Sequence, residues 1–164
     1  MDRKDRVARA KNQPYYPIAL NIKNKLCVVA GGGNVAIMKV EALLKAAAIV
    51  RIVSPELKGK LKTLYKNKKI EWLPRTICSS DLAGAFIVIA ATNNDKVNKQ
   101  ISDWAKKKKI LINVVDEPIL SDFISPAVFR KKEAIISVFT NGIAPSLSRD
   151  IKIFLDKNWE KIKD

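Results

Sequence analysis

A glycine-rich turn is the part of the sequence whose residue types and spacing point most directly to chemistry. Residues 31–36 have the sequence GGGNVA and fit the pattern G-x-G-x-x-[G/A], between an apolar run and a helical pattern. In such a turn Gly31 permits the tight bend, Gly33 lets a pyrophosphate approach the backbone, and Ala36 allows close helix–strand packing. The free N–H groups at the start of the next helix also favour phosphate. The turn therefore predicts a dinucleotide site, and the alternative is a tight turn that binds no ligand.

The end of the second predicted strand bears on which dinucleotide would bind. An acid that binds the ribose is usual at this position, and Ser54 stands there instead. Glu56, two residues later, either contacts a ribose or stabilises the first turn of its own predicted helix. Both interpretations stay open. Because no arginine directly follows the strand, the sequence favours NAD over NADP.

Polar residues at the ends of the fourth and fifth predicted strands should form the second edge of a cofactor cleft. The fourth strand ends near Thr92 and Asn93, and the fifth ends near Asn113 and Asp116. Asp116 is therefore predicted near the nicotinamide, where a carboxylate can act as a general base. The alternative is that Asp116 or Asn113 only stabilises the turn before Pro118. Residues 140–146 follow the last strand and either line the same opening or form a bare turn.

Strand and helix patterns alternate along most of the chain, and these elements must position the residues above. Helical spacing places Val35, Met38, Ala42, Leu43 and Ala46 on one face of the first helix. Ser54 is expected to cap a second helix whose first position is Pro55. The predicted strands are 25–30, 49–53, 70–73, 86–91 and 110–115, with helices over 34–48, from 54, and over 95–108.

The alternation predicts an α/β fold: a Rossmann-like, doubly wound parallel sheet. After Pro118 two β segments, 123–129 and 134–139, and a helix over 145–162 form a small addition. The predicted organisation is a basic flexible arm, an NAD-binding domain, a β-containing segment and a C-terminal helix, over residues 1–14, 15–119, 120–144 and 145–164.

Composition narrows the classes of function. The chain has 164 residues, no histidine and two cysteines, which excludes His-based triads, His metal sites and a disulfide framework. No apolar stretch is long enough for a membrane helix, and the charged N-terminus is not a secretory signal, so a reducing cytoplasm is expected. The net charge of +15 fits solvated lysine-rich helices, a nucleic-acid surface or a small polycarboxylate substrate.

Six motifs occur in order with family-like spacing between residues 14 and 150. They are YPI (16–18), VAGGGNVAIMK (29–39), AATNN (90–94), NVVDEP (113–118), DFISPA (122–127) and TNGIAPSLSR (140–149). Together they resemble the precorrin-2 dehydrogenase family, which includes the N-terminal half of siroheme synthase. The resemblance implies NAD-dependent oxidation of precorrin-2 to sirohydrochlorin and a homodimer built through residues 120–144. It also implies that residues 145–164 are a shortened form of a helical domain.

The resemblance also assigns roles to particular residues. Asp116 takes the catalytic role, and contacts to the cofactor fall on Asn34, Val35, Pro55 and Glu56. These contacts are combined with those predicted from the glycine turn and from the ends of the strands. The predicted cofactor-binding residues are then Gly31, Gly32, Gly33, Asn34, Val35, Ser54, Pro55, Glu56, Thr92 and Asn93. The predicted substrate-binding residues are Asn113, Thr140, Asn141, Gly142 and Arg149.

The implied substrate carries several carboxylates, so a basic rim would attract it. Candidates for that rim are Arg149, Lys39 and the lysines within residues 130–132. Because the chain lacks histidine, weak or no ferrochelatase activity is expected, with iron inserted by a separate protein. Two alternatives stay open: a regulatory module that senses NAD without chemistry, and a basic nucleic-acid-binding protein. Turnover of precorrin-2 with NAD would distinguish all three.

Overall fold

The computed structural model describes residues 15–140 and 144–163, in two units that divide between Phe123 and Ile124. The first unit contains strands β1 to β5 and helices α1 to α3. In chain order these are β1 Leu26–Ala30, α1 Asn34–Lys45, β2 Ile49–Val53, α2 Lys60–Lys66, β3 Glu71–Leu73, β4 Ile87–Ala90, α3 Asp95–Lys107 and β5 Leu111–Val114. Every strand lies within the range predicted for it.

The five strands form one parallel sheet in the order β3-β2-β1-β4-β5. Chain order reverses between β1 and β4, so the connections leave these two neighbours toward opposite sides. A sheet of this kind opens a crevice beyond the carboxyl ends of its strands at that point. The predicted Rossmann-like, doubly wound fold is confirmed.

Apolar side chains cover both faces of the sheet. On β1, Cys27 and Val29 belong to one buried cluster, and Val28 and Ala30 belong to the other. Continuous burial of this kind is typical of the central strands of parallel sheets. Burial raises the pKa of Cys27 to about 11, so this cysteine packs as a small apolar residue.

The buried face of α1 differs from the predicted one. Val35 and Met38 are 37% and 63% exposed, whereas Ala36, Val40 and Leu43 are buried against the sheet. Of the five residues predicted for the face, Leu43 alone is buried. Both sets of positions have helical spacing, so the spacing alone does not select the face that packs on the sheet. Ala36 is fully buried, as its small side chain predicts.

The predicted start of the second helix was also wrong. Helix α2 begins at Lys60, and the Ser54 hydroxyl donates to the Glu56 carbonyl at 2.8 Å instead of capping a helix. The Lys58 N–H donates to the Gly32 carbonyl at 2.9 Å. These bonds hold residues 54–58 as a loop against the glycine turn, and the helix starts only after the loop has left it.

The second unit contains an antiparallel pair, β6 Ala127–Arg130 and β7 Ile135–Val138, and helix α4 Pro145–Lys163. The ring of Phe129 on β6 packs against Trp159 of α4, with centroids 5.1 Å apart, and both side chains are buried. Lys131 and Asp156 add an ion pair at 3.4 Å. This unit therefore has a small hydrophobic centre of its own.

Candidate dinucleotide-binding site

The three glycines after β1 have different neighbours. Gly31 has φ of 114°, and a Cβ at this position would overlap the Ala91 carbonyl. A Cβ on Gly32 would overlap the Glu56 carbonyl, while one on Gly33 would meet nothing within 4 Å. The first two glycines therefore allow close approach of protein backbone, and Gly33 faces open space.

The beginning of α1 lies directly behind Gly33. The first helical hydrogen bond runs from the Ile37 N–H to the Gly33 carbonyl at 3.2 Å. Within the described residues no side chain caps this end of the helix, and its first turn holds no acidic residue. N–H groups that precede the first helical bond have no acceptor inside the helix and carry partial positive charge. This end of α1 fits a diphosphate.

A cleft of about 440 Å³ lies at the carboxyl edge of the sheet, beside the glycine turn. Pockets for small molecules typically have volumes of about 300–1,000 Å³. Eight of the ten predicted cofactor-binding residues line this cleft: Gly31, Gly32, Gly33, Ser54, Pro55, Glu56, Thr92 and Asn93. Asn34 and Val35 are exposed in the first turn of α1 and are not among the lining residues.

The loop at the end of β2 forms one wall of the cleft. The Ser54 N–H donates to the Leu73 carbonyl at 3.2 Å, and Trp72 Nε1 donates to the Ser54 carbonyl at 2.9 Å. The Glu56 carboxylate is exposed, with Lys58 Nζ 4.0 Å from its Oε1 atom. The structure therefore leaves Glu56 accessible to a ribose, which favours the first of its two predicted roles.

Thr76 and Ile77 complete that wall and were missed by the sequence analysis. They follow β3, which lies next to β2 in the sheet, so predicting their position requires the order of the strands.

Arg75 and Asp81 stabilise the segment that contains Thr76 and Ile77 through a bidentate ion pair, with distances of 2.7 and 2.5 Å. Asp81 is buried, and its hydrogen bonds from Arg75 and from the Cys78 N–H lower its pKa to about 2.

Asn98 fixes the opposite wall, which contains Thr92 and Asn93. Its Oδ1 atom accepts from the Thr92 hydroxyl at 2.7 Å and from the Thr92 N–H at 3.2 Å. Its Nδ2 atom donates to the Thr92 carbonyl at 3.0 Å. The sequence analysis did not identify Asn98. A polar residue three positions before Ile101, on the apolar face of α3, could have indicated a buried side chain with hydrogen-bond partners.

Asp116 lies in a tight turn just after β5, at the same edge of the sheet. The Glu117 N–H donates to the Val114 carbonyl at 3.2 Å, and Asp116 has φ of 61°. The side chain is exposed and does not line the cleft. Burial lowers the pKa of Lys39 on α1, and the negative charge of Asp116 opposes this effect. The two charges therefore interact.

Asn113 is 5% exposed and connects β5 to the segment that follows it. Its Nδ2 atom donates to the Phe123 carbonyl at 2.9 Å, while its buried Oδ1 atom has no partner among the described residues. This bond anchors the chain at Phe123, beyond the turn at Pro118. A role of Asn113 in binding substrate stays a prediction.

The remaining predicted substrate residues belong to the second unit. The Thr140 hydroxyl lies 3.0 Å from the Ser148 hydroxyl, and Arg149 is exposed on α4. Asn141 and Gly142 lie outside the described residues.

Residues 15–140 and 144–163 contain no group of three or more His, Cys, Asp or Glu side chains that could hold a metal ion. None of the helices in those ranges combines the length and the apolar character needed to cross a membrane.

Comparisons with known proteins agree with this site. Residues 18–127 match a family model for NAD(P)-binding domains. The chain is 37% identical over 135 residues to the siroheme synthase of Actinobacillus pleuropneumoniae, covering 82% of this chain and 28% of that protein. It is 39% identical over 146 residues to the siroheme synthase of Nitrosospira multiformis, covering 87% of this chain and 31% of that protein. The chain thus spans about three tenths of the length of these relatives.

A solved structure is also similar. The precorrin-2 dehydrogenase SirC matches with a TM-score of 0.75 and 24% identity, over 88% of this chain and 71% of that one. At this identity the likeness shows a shared fold.

Proposed function

Because this chain belongs to the NAD(P)-binding family whose model matches its residues 18–127, we propose that it is an NAD-dependent dehydrogenase that oxidises precorrin-2 to sirohydrochlorin. One observation carries the proposal: a glycine-built cleft and an acidic turn lie at the same edge of a doubly wound sheet. The similarity to siroheme synthases and to a precorrin-2 dehydrogenase supports this choice of substrate.

The cleft contains groups suited to the diphosphate and to one ribose of a dinucleotide. The turn at Gly33 and the start of α1 would hold the diphosphate, and Glu56 would bind a ribose. Thr92 and Asn93 would form the wall on the side of β4. The Glu56 carboxylate would repel a phosphate on the ribose, so NAD is the proposed cofactor rather than NADP.

The reaction removes two hydrogens from the substrate, one as a hydride and one as a proton. Bound NAD would supply the acceptor for the hydride. Asp116 would take the proton as a general base, since its carboxylate is exposed at the edge of the sheet where the cleft opens. The Lys39 ammonium on α1 interacts with the negative charge of Asp116 at this edge of the sheet.

Positive charge would assist capture of the substrate. The chain carries a net charge of +15, and precorrin-2 is a polycarboxylate. Exposed Arg149, exposed Lys132 and half-buried Lys39 are each proposed as contacts, and binding should weaken as salt rises. We further propose a homodimer formed through residues 120–144 in a reducing cytoplasm. Weak or no ferrochelatase activity is proposed because the chain lacks histidine, so that a separate protein inserts the iron.

The direct test is to incubate the protein with precorrin-2 and NAD and to follow the absorbance of sirohydrochlorin. Calorimetry with NAD alone measures cofactor binding separately. Asp116→Ala and Asp116→Asn are expected to lower turnover by about 10²–10⁴-fold, to a small residual rate, and to leave NAD binding within about twofold, because Asp116 does not line the cleft. Near-normal turnover by either variant would remove the catalytic role of Asp116. Binding of NAD without any turnover by the unaltered protein would favour the regulatory module instead.

A further inference from the structure

Ser121 makes hydrogen bonds to both ends of the turn that carries Asp116. The Val114 N–H donates to Ser121 Oγ at 2.8 Å. The same oxygen lies 3.0 Å from the Glu117 carbonyl and 3.2 Å from the Val114 carbonyl. A hydroxyl has one proton and donates to one carbonyl at a time, and the shorter distance favours Glu117. Since Val114 and Glu117 begin and end the turn, one side chain connects the two.

The turn needs such support because its backbone conformation is unfavourable. Asp116 has φ of 61°, in the left-handed region that residues other than glycine rarely adopt, although Asp tolerates it better than most. The bond that closes the turn, from the Glu117 N–H to the Val114 carbonyl, is 3.2 Å long and lies at the upper end of the usual range. The Ser121 hydroxyl therefore adds side-chain support at both ends of a turn whose central residue has an unfavourable backbone conformation.

Ser121 can hold the turn because its own position is set by other contacts. Next to it, the Asp122 N–H donates to the Ile112 carbonyl at 2.8 Å, and the Ile112 N–H donates to Asp122 Oδ2 at 3.2 Å. On its other side, the Ser102 hydroxyl of α3 donates to the Leu120 carbonyl at 2.7 Å. The segment is thus anchored to both β5 and α3 independently of the turn.

We propose that Ser121 is a positioning residue that fixes the backbone of Asp116, and thereby the direction of its carboxylate. This inference rests on the proposed function, in which Asp116 accepts a proton from the substrate. Ser121 does not line the cofactor cleft, so it acts on the reaction and not on NAD binding.

The first experiment compares Ser121→Ala with Ser102→Ala. Ser121→Ala should lower kcat about tenfold or more, because a misplaced catalytic group loses much of its effect, with the Kd for NAD unchanged within about twofold. Ser102→Ala removes one hydroxyl bond to the same segment but leaves the two bonds between Asp122 and Ile112, which still hold Ser121 in place, so its kcat should stay within about twofold of the unaltered protein. Ser121→Thr, which keeps the hydroxyl, should recover most of the lost kcat.

A double-mutant comparison separates positioning from general damage. If Ser121 acts through Asp116, Ser121→Ala should cause no further loss in the Asp116→Asn background. The proposal is overturned if Ser121→Ala retains kcat within about twofold, or if it lowers the rate by the same factor in both backgrounds.

Amide hydrogen exchange tests the structural part without requiring turnover. Ser121→Ala should speed exchange at the Val114 and Glu117 amides about tenfold or more, while Ser102→Ala leaves Glu117 unchanged. Equal exchange in Ser121→Ala and the unaltered protein would refute the role of Ser121 even if precorrin-2 is oxidised. An unaltered protein that does not oxidise precorrin-2 would instead refute the proposed function and the catalytic consequence, whatever the exchange rates show.

Discussion

Replacing Gly33 by alanine tests whether a diphosphate approaches this residue. Gly33 has φ of −88° and ψ of −169°, which alanine adopts without strain, and a Cβ there meets nothing within 4 Å. The methyl group therefore leaves the folded protein undisturbed and occupies only the open space beside α1. Because alanine also restricts the unfolded chain, the free energy of unfolding should stay the same or rise by about 0.4–1 kcal/mol.

The same substitution should weaken NAD binding, although it does not lower the stability of the protein. If the diphosphate lies against the Gly33 backbone, the methyl group takes part of its place, and the Kd for NAD should rise at least about tenfold, or about 1.4 kcal/mol. Calorimetry with NAD gives the Kd, and urea denaturation followed by tryptophan fluorescence gives the stability.

Gly32→Ala is the matched control. A Cβ on Gly32 would overlap the Glu56 carbonyl, so this variant should lose about 1–3 kcal/mol of stability through displaced backbone. If Gly33→Ala binds NAD with a Kd within about twofold of the unaltered protein, the diphosphate does not lie at Gly33 and our assignment of the cradle is wrong.

Three further changes have defined outcomes. Arg75 holds the pKa of Asp81 at about 2, so the stability this provides is present above pH about 4 and lost as pH falls toward 2. Asp81→Asn should lose about 2 kcal/mol at pH 7 and flatten that pH dependence in urea unfolding. Asn98→Ala leaves the Thr92 backbone without its partners, and should lower stability by about 1–3 kcal/mol and weaken NAD binding in calorimetry. Glu56→Gln removes a charge from the ribose wall and should improve binding of NADP relative to NAD, measured as the ratio of their Kd values.

For each of these three variants, one result would contradict the expected outcome. Stability of Asp81→Asn that still falls steeply between pH 4 and 2 would mean that other carboxyls dominate the acid response. Unaltered NAD affinity in Asn98→Ala would show that the Thr92 wall does not contact the cofactor. A constant ratio of NADP to NAD affinity in Glu56→Gln would place the ribose away from Glu56.

Local sequence patterns were sufficient to identify the strands, the glycine turn and the fold class. The apolar runs at 26–30 and 87–90 are continuous because central parallel strands are buried on both faces. Glycines at 31–33 mark a turn that other residues would block, since a Cβ on either of the first two overlaps backbone. The apolar runs and the three consecutive glycines are visible in the order of residues alone, so they can be recognised before any contact is known.

Contacts between segments distant in sequence decided the rest. The buried face of α1 depends on how the helix packs against the sheet, and the loop at Ser54 depends on backbone bonds to Gly32 and Leu73. Thr76 reaches the cleft because β3 pairs with β2. Ser121 is connected to Asp116 only because its segment returns along β5. These contacts cannot be predicted from the residue type at a single position, because they form only when distant segments of the chain pack together in the folded protein.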